Sequence, residues 1–214
     1  MDESDQPHGF QRLLFFSDAV FAIAITVLVL DVRLPEGARS FNLMNVGPEM
    51  LGFAITFYAI GRFWLVHHAL FEGVRGYDRR VLRANLAFLA VIVFLPFPTS
   101  VVARLPPSSA TVGFYGLSLA AVGVLMMLLT WIARRPALLR PGETFGGTIR
   151  RLTNTGVVTL VFALTALVGQ AWPNIAMLTL LLLFPASWAA DRLGHRLEAR
   201  IDGAALPRAD VTTP

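Results

Sequence analysis

The sequence predicts an all-α polytopic membrane protein with six transmembrane helices in one domain. Of its 214 residues, 55% are hydrophobic and only 15% are charged, whereas an average soluble domain has roughly 25% charged residues. The apolar residues form six blocks, each long enough to cross ~30 Å of hydrocarbon. The arginines are concentrated between alternate blocks, which is the pattern that orients membrane helices.

The six blocks lie at about 12–33, 48–72, 82–104, 110–133, 150–172 and 174–192. The chain begins with acidic residues and lacks the positive region of a signal peptide, so the first block is expected to be a retained helix. Pro-containing segments at 34–37, 105–109 and 172–174 separate blocks, and Pro96, Pro98 and Pro185 are expected to kink or end helices. We expect one six-helix transmembrane domain at 10–202, with disordered cytoplasmic tails at 1–9 and 203–214.

The distribution of arginine predicts the topology. One side holds Arg33, Arg39 and Arg104, and the opposite side holds fourteen arginines: Arg12, Arg75, Arg79, Arg80, Arg83, Arg134, Arg135, Arg140, Arg150, Arg151, Arg192, Arg196, Arg200 and Arg208. Under the positive-inside rule this bias places both termini in the cytoplasm, as an even number of spans requires. We expect a multi-pass protein of the plasma membrane that binds no nucleic acid, because the arginines lie between apolar blocks.

The first apolar block carries an acid, Asp18, in an otherwise apolar run. A carboxylate at mid-membrane costs ~2.5–3.5 kcal/mol, so Asp18 is either part of a polar network or an acid that stays hydrated near the headgroups. At 100° per residue, Ile23, Val27 and Leu30 lie within about 40° of one another, and Asp18 points roughly 140° away. The acid and the apolar stripe therefore face different neighbours.

The residues Arg12, Phe16, Ser17 and Asp18, followed by AVFAIAIT at 19–26, resemble the signature of the prokaryotic branch of the transmembrane-protein-175 (lysosomal-type) potassium channels. The runs FWLVHHALF at 63–71 and NLAFLAVIVFLPFPT at 85–99 are similar to that family's pattern too. The resemblance implies a homotetramer of six-helix chains whose first helices line a central pore. It also implies an apolar constriction, or hydrophobic gate, at Ile23, Val27 and Leu30.

Two further groups of polar residues are candidates for supporting roles. Thr26 lies about 60° from the direction of Ile23, so its hydroxyl either bonds to its own helix or reaches the pore edge, which we favour. On the second helix, one face carries Trp64, His67, His68 and Phe71. Adjacent histidines are poorly placed to share a metal. The alternatives for the imidazoles are a hydrogen bond to Asp18 or Ser17, which we expect, and a titrating gate. We expect the motif network to comprise Arg12, Phe16, Ser17, Asp18, Trp64, His67 and His68.

The segment Thr111–Gly116 resembles the TVGYG filter of ordinary potassium channels but has one residue too many. It follows a Pro-rich turn with no apolar pore helix before it. We therefore predict that it begins the fourth transmembrane helix.

The leading hypothesis is a potassium-permeable cation channel without a TVGYG-type filter, with K⁺ as the permeating ion and no cofactor. The alternative is a small secondary transporter coupled through Asp18, which the expected absence of an inverted repeat and of paired broken helices disfavours. An enzyme would need a convergent acid, base and nucleophile, and the spans offer little beyond Asp18 and the two histidines. The expected partners are further copies of the chain, membrane lipid and potassium ions.

Overall fold

The computed structural model describes residues 8–30, 32 and 43–205. The described chain is helical, with short connections. Its helices are α1 His8–Leu30, α2 Leu43–Glu72, α3 Arg79–Phe94, α4 Pro96–Arg104, α5 Ser109–Ala133, α6 Phe145–Ala171, α7 Pro173–Ala176, a 3-10 segment Met177–Leu182, and α8 Leu183–Ala205.

These helices form six membrane-capable spans, which confirms the predicted number. The third span consists of α3 and α4, and the sixth consists of α7, the 3-10 segment and α8. Both spans are thus interrupted, and the expectation of no paired broken helices was wrong. Pro96 causes the break in the third span because it has no N–H to donate to the Ile92 carbonyl. The Leu95 N–H bonds to that carbonyl instead, at 3.2 Å. Pro185 lies in the first turn of α8, directly after the 3-10 segment.

Two helix boundaries differ from the predicted ones. Helix α6 begins at Phe145 instead of near residue 150, because the Thr144 hydroxyl caps it by accepting from the Gly147 N–H at 3.0 Å. Helix α8 continues to Ala205, beyond the predicted end at 192. An ion pair between Arg150 and Glu198 at 2.9 Å joins the two charged extensions. The Arg-rich segments that hydropathy assigned to a loop and a tail are therefore largely helical.

The first and last helices also extend into the segments that were predicted to be disordered tails. Helix α1 includes residues 8 and 9, and α8 includes residues 203 to 205. The remainder of both tails, at 1–7 and 206–214, lies outside the described residues. So do Arg33, Arg39 and the connection at 34–37.

The two Arg-rich connections meet at one end of the bundle. Val74 and Leu139 form an isolated antiparallel bridge between them. The Arg75 N–H donates to the Leu138 carbonyl at 2.9 Å, and the Arg140 N–H donates to the Gly73 carbonyl at 3.0 Å. Both connections therefore lie on one side of the membrane, as the arginine bias predicts.

Helices α5 and α6 form the most extensive helix pair in the described chain. A Cβ built on Gly116 would lie 2.8 Å from the backbone nitrogen of Ala166, so the two backbones approach too closely for a side chain. Small residues at such crossings permit close packing in the absence of a hydrophobic driving force. Helix α5 is the most buried of the six spans, whereas α1 packs on the outside, against α2 and α3.

Candidate functional site

Helix α1 has one face in the core and one face turned outward. Phe21, Ala24 and Leu28 are at most 2% exposed and pack in the hydrophobic core. Ile23 and Leu30 are 60% and 67% exposed. The exposed face is an apolar stripe, because Val27 continues it one turn beyond Ile23. A protomer thus presents β-branched and Leu side chains outward along α1.

Thr26 is exposed beside this stripe. Its hydroxyl lies 3.0 Å from the carbonyl oxygens of both Ala22 and Ile23 and donates to them. In this protomer the Thr26 hydroxyl therefore bonds to its own helix, which is one of the two roles considered for it.

Ser17 connects α1 to the second and third spans. Its hydroxyl donates to the Leu13 carbonyl at 2.9 Å and accepts from Nδ2 of Asn85 at 2.9 Å. The Oδ1 of Asn85 lies 2.8 Å from Nε2 of His67. Because the amide nitrogen already donates to Ser17, Oδ1 is the acceptor and His67 carries its proton on Nε2. The result is a buried chain of hydrogen bonds from α1 through α3 to α2.

His67 is held by aromatic rings as well as by this bond. Its ring centroid lies 4.7 Å from that of Phe71, 5.5 Å from Phe21 and 5.6 Å from Phe88, with which it stacks. The histidine is 2% exposed. A buried polar ring with its bond satisfied and three aromatic neighbours defines the orientation of α1 relative to α2.

The partner of Asp18 is Trp64, which donates from Nε1 to Oδ1 at 2.9 Å. The expectation that an imidazole would bond to Asp18 or Ser17 was therefore wrong, because His67 bonds to Asn85, which lies between it and Ser17. His68 stacks on Trp64 at 5.5 Å and contacts Glu72 at 3.3 Å. Helical spacing placed these residues near α1 but could not say which one reaches the carboxylate.

Arg12 and Phe16 do not join this network within the protomer. Both are exposed, and Phe16 is 52% exposed. Near them, a pocket of about 530 Å³ opens between α1 and α2, lined in part by Gln11, Phe15 and Asp18. The described residues hold no group of three His, Cys, Asp or Glu side chains arranged to bind a metal ion.

Thr111–Gly116 form the first turns of α5, which confirms that this segment begins the fourth span. Ser108 and Thr111 form a capping box at its start. Tyr115 is fully buried and its hydroxyl lies 2.8 Å from that of Thr56, which in turn lies 2.9 Å from that of Thr99. This hydroxyl chain ties α5 to α2 and α4.

Asn85 is the site residue that sequence reasoning missed. It was noted only as the first residue of a family-like run, with no role assigned. The available signal was an amide placed inside an apolar span, where a neutral polar side chain is costly unless another helix supplies a partner.

Residues 12–96 match the family described as endosomal/lysosomal potassium channel TMEM175. A potassium channel of Streptomyces collinus is 32% identical over 128 residues, which cover 56% of this chain and 62% of that protein. Residues 12–96 of the chain are therefore similar to the TMEM175 family. The matched region covers most of the first three spans and contains all three residues of the Ser17–Asn85–His67 hydrogen-bond chain.

Other TMEM175 relatives extend the comparison. The human endosomal/lysosomal proton channel TMEM175 is 31% identical over 164 residues, covering 66% of this chain and 32% of the human protein. A crystal structure of a lysosomal potassium-selective channel TMEM175 homolog from Chamaesiphon minutus has a TM-score of 0.63 at 21% identity. It covers 91% of this chain and 98% of its own, and shows the same fold. The chain spans about six tenths or less of the curated relatives it matches.

Proposed function

We propose that this chain is a subunit of a potassium-permeable cation channel, assembled as a homotetramer in the plasma membrane with both termini in the cytoplasm. Relatives of Streptomyces, Chryseobacterium and Chamaesiphon at 32–35% identity are named as potassium channels. The observation that carries the proposal is the outward apolar stripe of α1, on the helix with the family signature.

Several copies are needed because one helix cannot surround an axis. In the proposed tetramer, Ile23, Val27 and Leu30 of each subunit form successive apolar rings, with Thr26 beside them. A ring of four isoleucine side chains excludes water by dewetting, so a cation that passes must lose part of its hydration shell. K⁺ is less strongly hydrated than Na⁺, and this loss costs it less. The proposed discrimination therefore comes from dehydration, without a filter of backbone carbonyls.

The polar network holds α1 in register for this role. The Ser17–Asn85–His67 chain fixes one side of α1, and the Trp64 bond to Asp18 fixes the adjacent side. The proposed assembly uses the exposed Arg12 and Phe16 as contacts to the neighbouring subunit. In this scheme Asp18 positions the helix and does not contact the permeating ion, and the channel uses no cofactor.

The test is a bi-ionic reversal potential measured on purified protein in planar bilayers, with K⁺ on one side and Na⁺ on the other. We expect stepwise single-channel currents and a reversal potential displaced in the direction of K⁺ preference. Saturable, coupled uptake without unitary currents would overturn the proposal in favour of the transporter with Asp18 as its coupling site.

A further inference from the structure

A pocket of about 140 Å³ lies between α2 and α6, away from α1. One wall is apolar and one is polar, so the pocket is amphipathic. The apolar wall is formed by Leu65, Val66 and Ala69, and the polar wall by Arg62, Arg150, Arg151 and Asn154.

The neighbouring helix α8 shows how deep this pocket lies in the membrane. On α8, Trp188 is 58% exposed, and the guanidinium of Arg192 lies 3.6 Å from the centroid of its ring. Tryptophan and arginine in this order mark a membrane–water interface. Asp191 lies between them and accepts from Nδ2 of Asn154 at 2.6 Å. The pocket is therefore at the level of the lipid headgroups.

Two donor atoms of Arg62 lack a hydrogen-bond acceptor in this pocket. Its Nε and Nη2 atoms are buried, and no described residue accepts a hydrogen bond from either. The nearest carboxylate oxygen, Oδ1 of Asp191, lies 3.8 Å from Nη2, which is too long for a hydrogen bond. That oxygen already accepts from Asn154. A half-buried guanidinium in this state favours a ligand that brings acceptor oxygens.

The other polar groups show what such a ligand would contain. Nε of Arg151 is a buried donor and Oδ1 of Asn154 is a buried acceptor, and neither has a hydrogen-bond partner among the described residues. Arg150 pairs with Glu198 at 2.9 Å, and both Nη1 and Nη2 of Arg151 donate to Glu143 at 2.9 Å. The pocket thus offers Nε and Nη2 of Arg62 and Nε of Arg151 for an oxyanion, and one amide oxygen for a hydroxyl.

We propose that this pocket binds the headgroup of an anionic phospholipid, with its phosphate on Arg62 and Arg151 and a headgroup hydroxyl on Asn154. Basic pockets between transmembrane helices at this depth take such headgroups. The apolar wall on α2 accommodates the start of an acyl chain.

The test titrates the purified full chain in detergent with phosphatidylglycerol or phosphatidylcholine and measures bound lipid by native mass spectrometry. Phosphatidylglycerol supplies both the phosphate and the hydroxyl, and phosphatidylcholine lacks the hydroxyl. We expect phosphatidylglycerol to bind more tightly and Arg62→Gln to weaken it roughly tenfold, since a charge-assisted hydrogen-bond pair is lost. The control Arg192→Gln removes the same charge at the same depth outside the pocket and should change binding less than about twofold.

A second variant, Ala69→Phe, fills the pocket while keeping every charge, and it should also abolish the preference for phosphatidylglycerol even if Arg62→Gln fails to fold. Equal retention of both lipids by the unmodified chain, or equal effects of Arg62→Gln and Arg192→Gln, would overturn the proposal. Displacement of the lipid by millimolar inorganic phosphate would assign the pocket to a free anion, and binding of neither would assign it to water or a neighbouring subunit.

Discussion

At the scale of single residues, α1 has one set of side chains that packs in the protomer core and another, exposed set that is proposed to line the pore. Ala24 follows Ile23 directly but is 2% exposed, in the core. Val29 is 54% exposed and lies on a different side of α1 from Ile23. Exposed residues of α1 therefore allow tests of the pore that leave the protomer core intact.

Ile23→Asn should raise conductance and lower K⁺/Na⁺ discrimination. Four amides would supply donors and acceptors to the proposed ring, which lowers the cost of dehydration for every cation and most for Na⁺. The measurement is single-channel current and reversal potential on the reconstituted protein. Val29→Asn is the control, because it places the same amide on an equally exposed residue of another face. If both variants leave the reversal potential unchanged in intact tetramers, the constriction lies elsewhere.

Asn85→Leu should destabilise the protein by about 2–4 kcal/mol, because it leaves His67 and the Ser17 oxygen without their buried partner. His68→Gln alters an exposed contact with Glu72 and should stay within about 0.5 kcal/mol of the unmodified protein. Thermal unfolding in detergent compares the two. Equal midpoints for both variants would mean that the hydrogen-bond chain contributes nothing to stability.

At the scale of helices, the closest approach lies between α5 and α6, and two glycines of α5 meet different surroundings there. A Cβ on Gly116 would meet the backbone of Ala166 at 2.8 Å. A Cβ on Gly113 would meet Nε2 of Gln170 at 2.9 Å, at the end of a flexible side chain that can move aside. The same substitution should thus have different costs one turn apart.

Gly116→Ala should cost about 1–3 kcal/mol because the helices must separate, the usual range for overpacking. Gly113→Ala should be close to neutral, since Gln170 shifts away. The midpoint of thermal unfolding, measured for both in one detergent, decides between them. Greater loss in Gly113→Ala would show that the tight crossing is elsewhere along α5.

Asp78 begins α3 and links it to the end of α5. The backbone N–H of Val81, then that of Arg80 and the charge of Arg135, hold the pKa of Asp78 below its ordinary value of 3.8. The stabilisation is therefore present above that ordinary value and is lost as pH falls through the lowered pKa.

Asp78→Asn keeps a capping oxygen but removes the charge. We expect it to be less stable than the unmodified protein at neutral pH, with the difference disappearing as the medium is acidified below pH 3.8. Stability in detergent, measured across this range of pH for both proteins, is the readout. A difference that persists unchanged at the acid end would contradict the assignment to the carboxylate.

At the scale of the molecule, hydropathy and arginine placement predicted the six spans and the end at which both Arg-rich connections meet. They could not predict that α6 begins at Phe145 or that α8 reaches Ala205, because caps and interhelical ion pairs extend helices past the apolar run. Helical periodicity placed Trp64 and His67 on the second span but carried no distances between spans. For that reason the partner of Asp18 was misassigned and Asn85 was missed.

The proposed topology is tested by single-cysteine labelling, which is clean because the sequence contains no cysteine. Ala137→Cys lies in the Arg-rich connection and Ala110→Cys lies at the opposite end, at the start of α5. In intact cells an impermeant maleimide should label Ala110→Cys and not Ala137→Cys. The reverse pattern would invert the topology.

The three residues of the Ser17–Asn85–His67 hydrogen-bond chain are all synthesised before the second half of the protein. All three residues belong to the first three spans, whereas α5, the most buried helix, is translated later. Since the N-terminal part of a chain emerges first, these bonds can close in the bilayer before α5 is made. The orientation of α1 is then set early in translation, and α5 and α6 are added to a first half that already holds its polar groups satisfied.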